Sequence, residues 1–147
     1  MKTRVLIVDD EEEFVESLAE RLKIRDYDVT TSPSGEDAID KVKHYNFDVV
    51  ILDVLMPGKD GVNTLREIKG IKPLTEVIML TGHGTVASAV DGMKLGAFDY
   101  LMKPCETTDL VTKINTAHDR KAQQEERIRE AKVREIVSSP RAALKEE

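Results

Sequence analysis

The chain has little of what disulfide-stabilised, membrane-spanning or nucleic-acid-binding proteins need. Its 147 residues include one cysteine and no tryptophan, which excludes an internal disulfide and suits a reducing cytoplasm. No run of about 18 apolar residues occurs, so we expect no membrane-spanning helix. The formal net charge of −6 argues against nonspecific nucleic-acid binding, which needs a basic surface. An apolar run follows Met1-Lys2-Thr3-Arg4 directly, so we expect no signal peptide.

Polar residues follow each of four short apolar runs. The runs and the residues after them are 5–8 before Asp9 and Asp10, 49–52 before Asp53, 77–80 before Thr81, and 100–102 before Lys103 and Pro104. Runs of this length are typical of strands buried on both faces. The carboxyl ends of parallel strands lie along one edge of an open sheet, where such folds bind ligands. Three carboxylates, a hydroxyl and an ammonium should therefore converge there, which suits a divalent cation and a phosphoryl group.

Helical patterns alternate with these strands. Apolar residues recur at helical spacing after each strand, and Ser34 with Asp37 predicts a capped helix start. The apolar positions that mark the five helices are Phe14, Leu18 and Leu22; Ala38, Ile39 and Val42; Leu65 and Ile68; Val86, Val90 and Met93; and Leu110, Val111 and Ile114. Five strand–helix units predict an α/β fold with a parallel sheet and helices on both faces.

The composition changes after Asp119. Residues 120–147 carry a net charge of +2, whereas residues 1–119 carry −8. We interpret 1–119 as one domain and 120–147 as a helical extension and tail. The fifth helix should continue to about Val137, because Pro140 disfavours helix in the residue before it. Two alternatives stay open for this extension: a solvated helix, or a helix that forms a dimer.

The four sites, in this order, resemble the receiver domain of two-component response regulators over residues 2–119. Residues 80–84 (Leu-Thr-Gly-His-Gly) and 96–100 (Gly-Ala-Phe-Asp-Tyr) are most similar to receivers of sigma-54-dependent activators. The sequence has no Gly-x-x-x-x-Gly-Lys-Ser/Thr loop of the kind that binds ATP in such activators. The resemblance implies a flavodoxin-like, doubly wound sheet of five parallel strands in the order 2-1-3-4-5, with helices on both faces.

The resemblance also assigns roles to residues. These are Asp53 as phosphoacceptor, Asp9, Asp10, Asp53 and the Leu55 backbone carbonyl as the Mg²⁺ site (Asp9 through a bound water), Lys103 as the cation beside the phosphoryl group, and Thr81 with Tyr100 as the switch pair. It implies a signalling switch and not a turnover enzyme. A sensor histidine kinase or phosphotransfer protein would be the donor. The phosphorylated state would act through the face of the fourth helix, fifth strand and fifth helix, with a phosphorylation-dependent homodimer as one outcome.

Two other functions remain open. Haloacid-dehalogenase-type phosphatases also use an Asp nucleophile with Mg²⁺, but they need a carboxylate two residues further on as general acid, and Leu55 cannot transfer protons. A degenerate receiver would act as an interaction module without phosphorylation. Simpler interpretations also exist for single residues: Tyr100 as an ordinary half-buried strand aromatic, His83 as a loop-packing residue, and Cys105 as an inert thiol.

Overall fold

Strands and helices alternate along the chain in the computed structural model, which describes residues 2–54, 56, 60–82 and 86–138. The elements are β1 (Arg4–Val8), α1 (Glu12–Ile24), β2 (Asp28–Ser32), α2 (Gly35–His44), β3 (Val49–Leu52), α3 (Gly61–Ile71), β4 (Glu76–Thr81), α4 (Val86–Lys94), β5 (Asp99–Met102) and α5 (Thr107–Ser138). The five predicted strand–helix units are therefore confirmed. None of the described helices is long and apolar enough for a membrane span.

The five strands form one parallel sheet in the order β2-β1-β3-β4-β5, which confirms the expected fold class. The register places Val8 beside Leu52, and Leu52 beside Met79. Thr81 lies beside Met102 on the edge strand. Because all strands run the same way, the residues that follow them meet at one edge of the sheet.

Apolar side chains fill both faces of the sheet. Along β1, Leu6 and Val8 point to a cluster with α2 and α3, whereas Val5 and Ile7 point to a second cluster with α1 and α5. This alternation follows from the period of two in a strand. It explains why β1, β3 and β4 read as continuous apolar runs, since helices cover the sheet on both sides.

Capping side chains fix the start of two helices. The hydroxyl of Ser34 accepts a hydrogen bond from the backbone N–H of Asp37 at 3.2 Å, as predicted. Asp60 caps α3 in the same way, accepting from the N–H of Asn63 at 2.8 Å. Such caps satisfy N–H groups that have no partner inside the helix.

The apolar stripe of α4 does not face the core. The helix is present as predicted, but Val86 is 82% exposed, and Val90 and Met93 are also exposed. The helix contacts the sheet through Gly92, the one buried residue of α4, where an added Cβ would overlap the sulfur of Met79. Helical spacing predicted the helix correctly, but it did not predict which side the sheet would cover.

Helix α5 continues far beyond the sheet. Its buried residues are Leu110, Ile114 and Ala117, and the helix runs on to Ser138, close to the predicted end. The first turn of the extension is attached to the amino-terminal edge of the sheet by ion pairs. The Arg120 guanidinium lies 2.9 Å from the carboxylate of the buried Glu76, and Lys121 lies 3.2 Å from that of Asp48.

Candidate functional site

The chemistry-bearing residues lie at the carboxyl ends of the strands, as predicted. Backbone hydrogen bonds extend the ladder one residue past the strands and fix these positions. The N–H of Asp53 donates to the carbonyl of Val8 at 3.0 Å, and the N–H of Lys103 donates to the carbonyl of Thr81 at 2.9 Å. Asp9 follows β1 directly. The carboxyl edge of the sheet therefore brings residues together that are up to 94 positions apart in the sequence.

Three carboxylates form a compact cluster. Asp9, Asp10 and Asp53 each offer one oxygen, and these oxygens lie within 4.8 Å of one another. Asp9 and Asp53 are buried, whereas Asp10 is exposed. Asp53 Oδ1 is buried and accepts no hydrogen bond from the described residues. A buried carboxylate oxygen without a partner is costly, and oxygen ligands are those that Mg²⁺ prefers, so the cluster fits a hard divalent cation.

Lys103 supplies positive charge to this cluster. Its ammonium lies 2.6 Å from Asp9 Oδ2, 3.1 Å from Glu11 Oε1 and 4.0 Å from Asp53 Oδ2. Burial lowers the pKa of Lys103, but the hydrogen bonds to Asp9 and Glu11 outweigh it and the net shift is upward. Burial raises the pKa of Asp9, and the hydrogen bond from Lys103 opposes that rise. Lys103 thus remains a cation at neutral pH. The peptide bond between Lys103 and Pro104 is cis.

The predicted switch residues lie on neighbouring strands. Thr81 is fully buried at the end of β4. Tyr100 lies on β5, paired in register with Met79, and is half-buried. The hydroxyl of Tyr100 is 3.2 Å from that of Ser88 on α4. Tyr100 therefore connects the edge strand to the helix that follows Thr81.

Two side chains that contact Lys103 were not predicted from the sequence. Glu11 pairs with its ammonium, and the ring centroid of Phe14 lies 4.0 Å from Nζ. The run Asp9-Asp10-Glu11 was a signal for the first, since a third acid directly follows the predicted metal pair. Helical spacing marks Phe14 as a residue of α1, but it does not reveal a contact with Lys103, which follows β5.

Gly61 also has a role that turn propensity alone did not indicate. Its N–H donates to the carbonyl of Val54 at 2.8 Å. A Cβ at this position would overlap the carbonyl oxygen of Asp53. The start of α3 can approach the backbone of the candidate acceptor this closely only because residue 61 has no side chain.

Three other residues singled out in the sequence are not part of the described carboxylate–lysine cluster. Leu55, whose carbonyl is a predicted metal ligand, and His83 lie outside the described residues. Cys105 is partly buried, and burial raises the pKa of its thiol. A raised pKa disfavours the reactive thiolate, which agrees with an inert cysteine.

A family model for the response regulator receiver domain matches residues 5–115. The chain belongs to this family. Receiver domains are signalling domains and generally not turnover enzymes, and they bind Mg²⁺ at an acidic pocket.

Solved receiver structures resemble this one closely. A response regulator receiver domain protein from Clostridium thermocellum is 40% identical, with a TM-score of 0.77 over 83% of this chain and 98% of that one. A CheY-like receiver from Methanospirillum hungatei is 27% identical, with a TM-score of 0.82 over 84% and 99%. A response regulator from Burkholderia pseudomallei, solved with a phosphorylated aspartic acid, a calcium ion and citrate, is 26% identical, with a TM-score of 0.75 over 87% and 75%.

Proposed function

We propose that this chain is a phosphorylation-dependent switch of a two-component system and that Asp53 is its phosphoacceptor. The observation that carries the proposal is the environment of Asp53. Its carboxylate is buried, one of its oxygens has no hydrogen bond among the described residues, and it lies beside two other carboxylates and a lysine. The similar Burkholderia protein that contains a phosphorylated aspartic acid supports this assignment.

Asp9, Asp10 and Asp53 would hold Mg²⁺, with the Leu55 carbonyl as a further ligand outside the described residues. When bound, the metal neutralises the clustered carboxylates and spreads negative charge that develops on a transferring phosphoryl group. The calcium ion in the Burkholderia structure is, like Mg²⁺, a hard divalent cation that prefers oxygen ligands. Asp10 is the exposed member of the cluster, so it would be the ligand most accessible from solvent.

The transfer joins one oxygen of Asp53 to phosphorus while the bond between phosphorus and a donor histidine nitrogen breaks. The electron pair of that bond returns to the imidazole, so no proton has to move on Asp53. A sensor histidine kinase or a phosphotransfer protein with a phosphorylated histidine is the donor. Lys103, 4.0 Å from the acceptor, attracts the anionic phosphoryl group and stabilises the product charge.

Phosphorylation would be sensed by Thr81 and relayed by Tyr100. A hydroxyl at the end of β4 donates to a phosphoryl oxygen after moving inward, and the aromatic ring then turns into the space that it leaves. Such a pair is a two-state element that a local charge biases. The contact between Tyr100 and Ser88 would change as a result.

The face of α4, β5 and α5 would carry the output. Val86, Val90 and Met93 on α4 and Met102 on β5 are exposed apolar residues, and exposed apolar surface of this kind suits a partner. Helix α5 joins this face to residues 120–138 without interruption. We propose residues 1–119 as the receiver and 120–147 as an extension that relays the change or forms a phosphorylation-dependent homodimer, in the cytoplasm.

Incubation with acetyl phosphate and magnesium, followed by intact-protein mass spectrometry, tests the proposed function. We expect one phosphate per chain, stable in acid and labile in base, and none on Asp53→Asn. Continuous release of phosphate would instead indicate a phosphatase. The absence of both labelling and turnover would indicate a degenerate receiver. Sedimentation with and without beryllofluoride, a phosphoryl mimic, tests the homodimer, which an unchanged mass would contradict.

A further inference from the structure

Lys103 is hydrogen-bonded to two acids and not to the candidate acceptor. Its ammonium hydrogen-bonds to Asp9 at 2.6 Å and to Glu11 at 3.1 Å, but it is 4.0 Å from the nearest oxygen of Asp53. The last distance is too long for a hydrogen bond. Lys103 is therefore hydrogen-bonded to Asp9 and Glu11, whereas its interaction with the proposed acceptor is only a long ion pair.

Asp9 and Glu11 differ in their burial and in their other hydrogen bonds. Asp9 is buried, and its other oxygen accepts a hydrogen bond from the backbone N–H of Glu11 at 2.9 Å. The side chain of Glu11 is 56% exposed and, although Glu11 is the N-cap residue of α1, it makes no capping hydrogen bond. The carboxylate of Glu11 thus pairs with Lys103 and does not accept a capping hydrogen bond from the N–H groups at the start of α1.

We propose that Glu11 is a positioning residue that holds Lys103 away from the acceptor and competes with the phosphoryl group for it. The inference rests on the proposed function of Asp53. A phosphoryl group on Asp53 attracts the ammonium, which is hydrogen-bonded to Glu11 at 3.1 Å but is 4.0 Å from Asp53, so Lys103 has to move toward the acceptor at the expense of the Glu11 pair. Phe14 lies against the ammonium in the present position, 4.0 Å from ring centroid to Nζ, and attracts the cation there.

The competition should be modest because Glu11 is exposed. An exposed ion pair changes an equilibrium by about two- to fivefold. Removing the pair should therefore increase affinity for a phosphoryl mimic by about that factor. The affinity of such a variant for the phosphoryl mimic should also depend less on salt concentration, since added salt screens the Glu11–Lys103 pair only in the parent protein.

Beryllofluoride titration in magnesium buffer tests the proposal on the full chain with three variants. Glu11→Gln removes the charge and the pair. Glu11→Asp keeps the charge, but a shorter acid at an N-cap position bonds to the N–H groups of its own helix and so releases Lys103. Glu13→Gln is the matched control, because Glu13 lies exposed in the same helical turn and forms no ion pair with Lys103 among the described residues.

We expect both Glu11 variants to bind beryllofluoride about two- to fivefold more tightly than the parent and Glu13→Gln to match the parent. The ¹⁵N NMR signal of the Lys103 ammonium should shift in the free Glu11 variants and coincide with the parent signal once beryllofluoride is bound. Equal affinity in the parent and Glu11→Gln, weaker binding in Glu11→Gln, or an equal gain in Glu13→Gln would overturn the proposal. If the parent does not bind beryllofluoride at all, the proposed function fails instead.

Discussion

Magnesium should stabilise the folded domain, and the size of the effect can be worked out from the site. A ligand that binds only the folded state contributes RT ln(1 + [L]/Kd), about 1.4 kcal/mol when magnesium is at roughly ten times Kd. In a chain of this length this raises the thermal midpoint by about 3–6 °C. The gain arises because three carboxylates lie within 4.8 Å while Lys103 hydrogen-bonds to only one of them, Asp9.

Differential scanning calorimetry in EDTA and in millimolar magnesium chloride measures this shift. Asp10→Ala should lose most of it, because the variant removes the exposed member of the cluster. Glu13→Gln is the control, since it removes a nearby charge that lies outside the cluster. Identical midpoints of the parent in EDTA and in magnesium would refute the assignment of a metal site. A shift that Asp10→Ala retains in full would show that magnesium binds elsewhere.

Three further predictions, two on the site and one on the attachment of the α5 extension, are tested by denaturant unfolding. Asp53→Asn should keep the fold and be at least as stable as the parent in EDTA, because it removes one of three clustered carboxylates; a clear loss of stability would contradict this. Gly61→Ala should destabilise by about 1–3 kcal/mol, because its Cβ overlaps the carbonyl oxygen of Asp53. Gly70→Ala on the same helix, where a Cβ meets nothing within 4 Å, should instead stabilise by about 0.5–1 kcal/mol, and equal effects would refute the overlap. Arg120→Ala should cost about 1–2 kcal/mol, because it leaves the buried Glu76 with weaker compensation, and an unchanged midpoint would show that this pair does not hold the extension.

Much of the site could be predicted because its charged residues and Thr81 lie at the end of a strand or directly after it. The runs before Asp9, Asp53 and Thr81 are apolar throughout, since each strand is covered on both faces. A parallel sheet then brings their ends together whatever the loops contain. The strand order itself came from the resemblance to receivers, because apolar periodicity does not determine which strands are neighbours.

The contacts between side chains from different elements could not be predicted in this way. Periodicity indicates that 86–94 is helical, yet the structure leaves Val86 exposed, because Gly92 sets which side of α4 approaches the sheet. The pairing of Arg120 with Glu76 joins residues 44 positions apart, and nothing in either local sequence indicates it. Such pairs depend on the distance between elements, which local propensity does not contain.

The sequence by itself determined the succession of strands and helices, the parallel sheet class and the residues that lie at its carboxyl edge. These follow from short-range physics: side-chain periodicity, helix caps and the direction of parallel strands. Only the tertiary structure decided that Asp53 Oδ1 has no hydrogen bond among the described residues and that Lys103 is held by Asp9 and Glu11. The physical reason is that electrostatic and hydrogen-bond energies depend on distances of a few ångströms, and packing of the whole chain sets those distances.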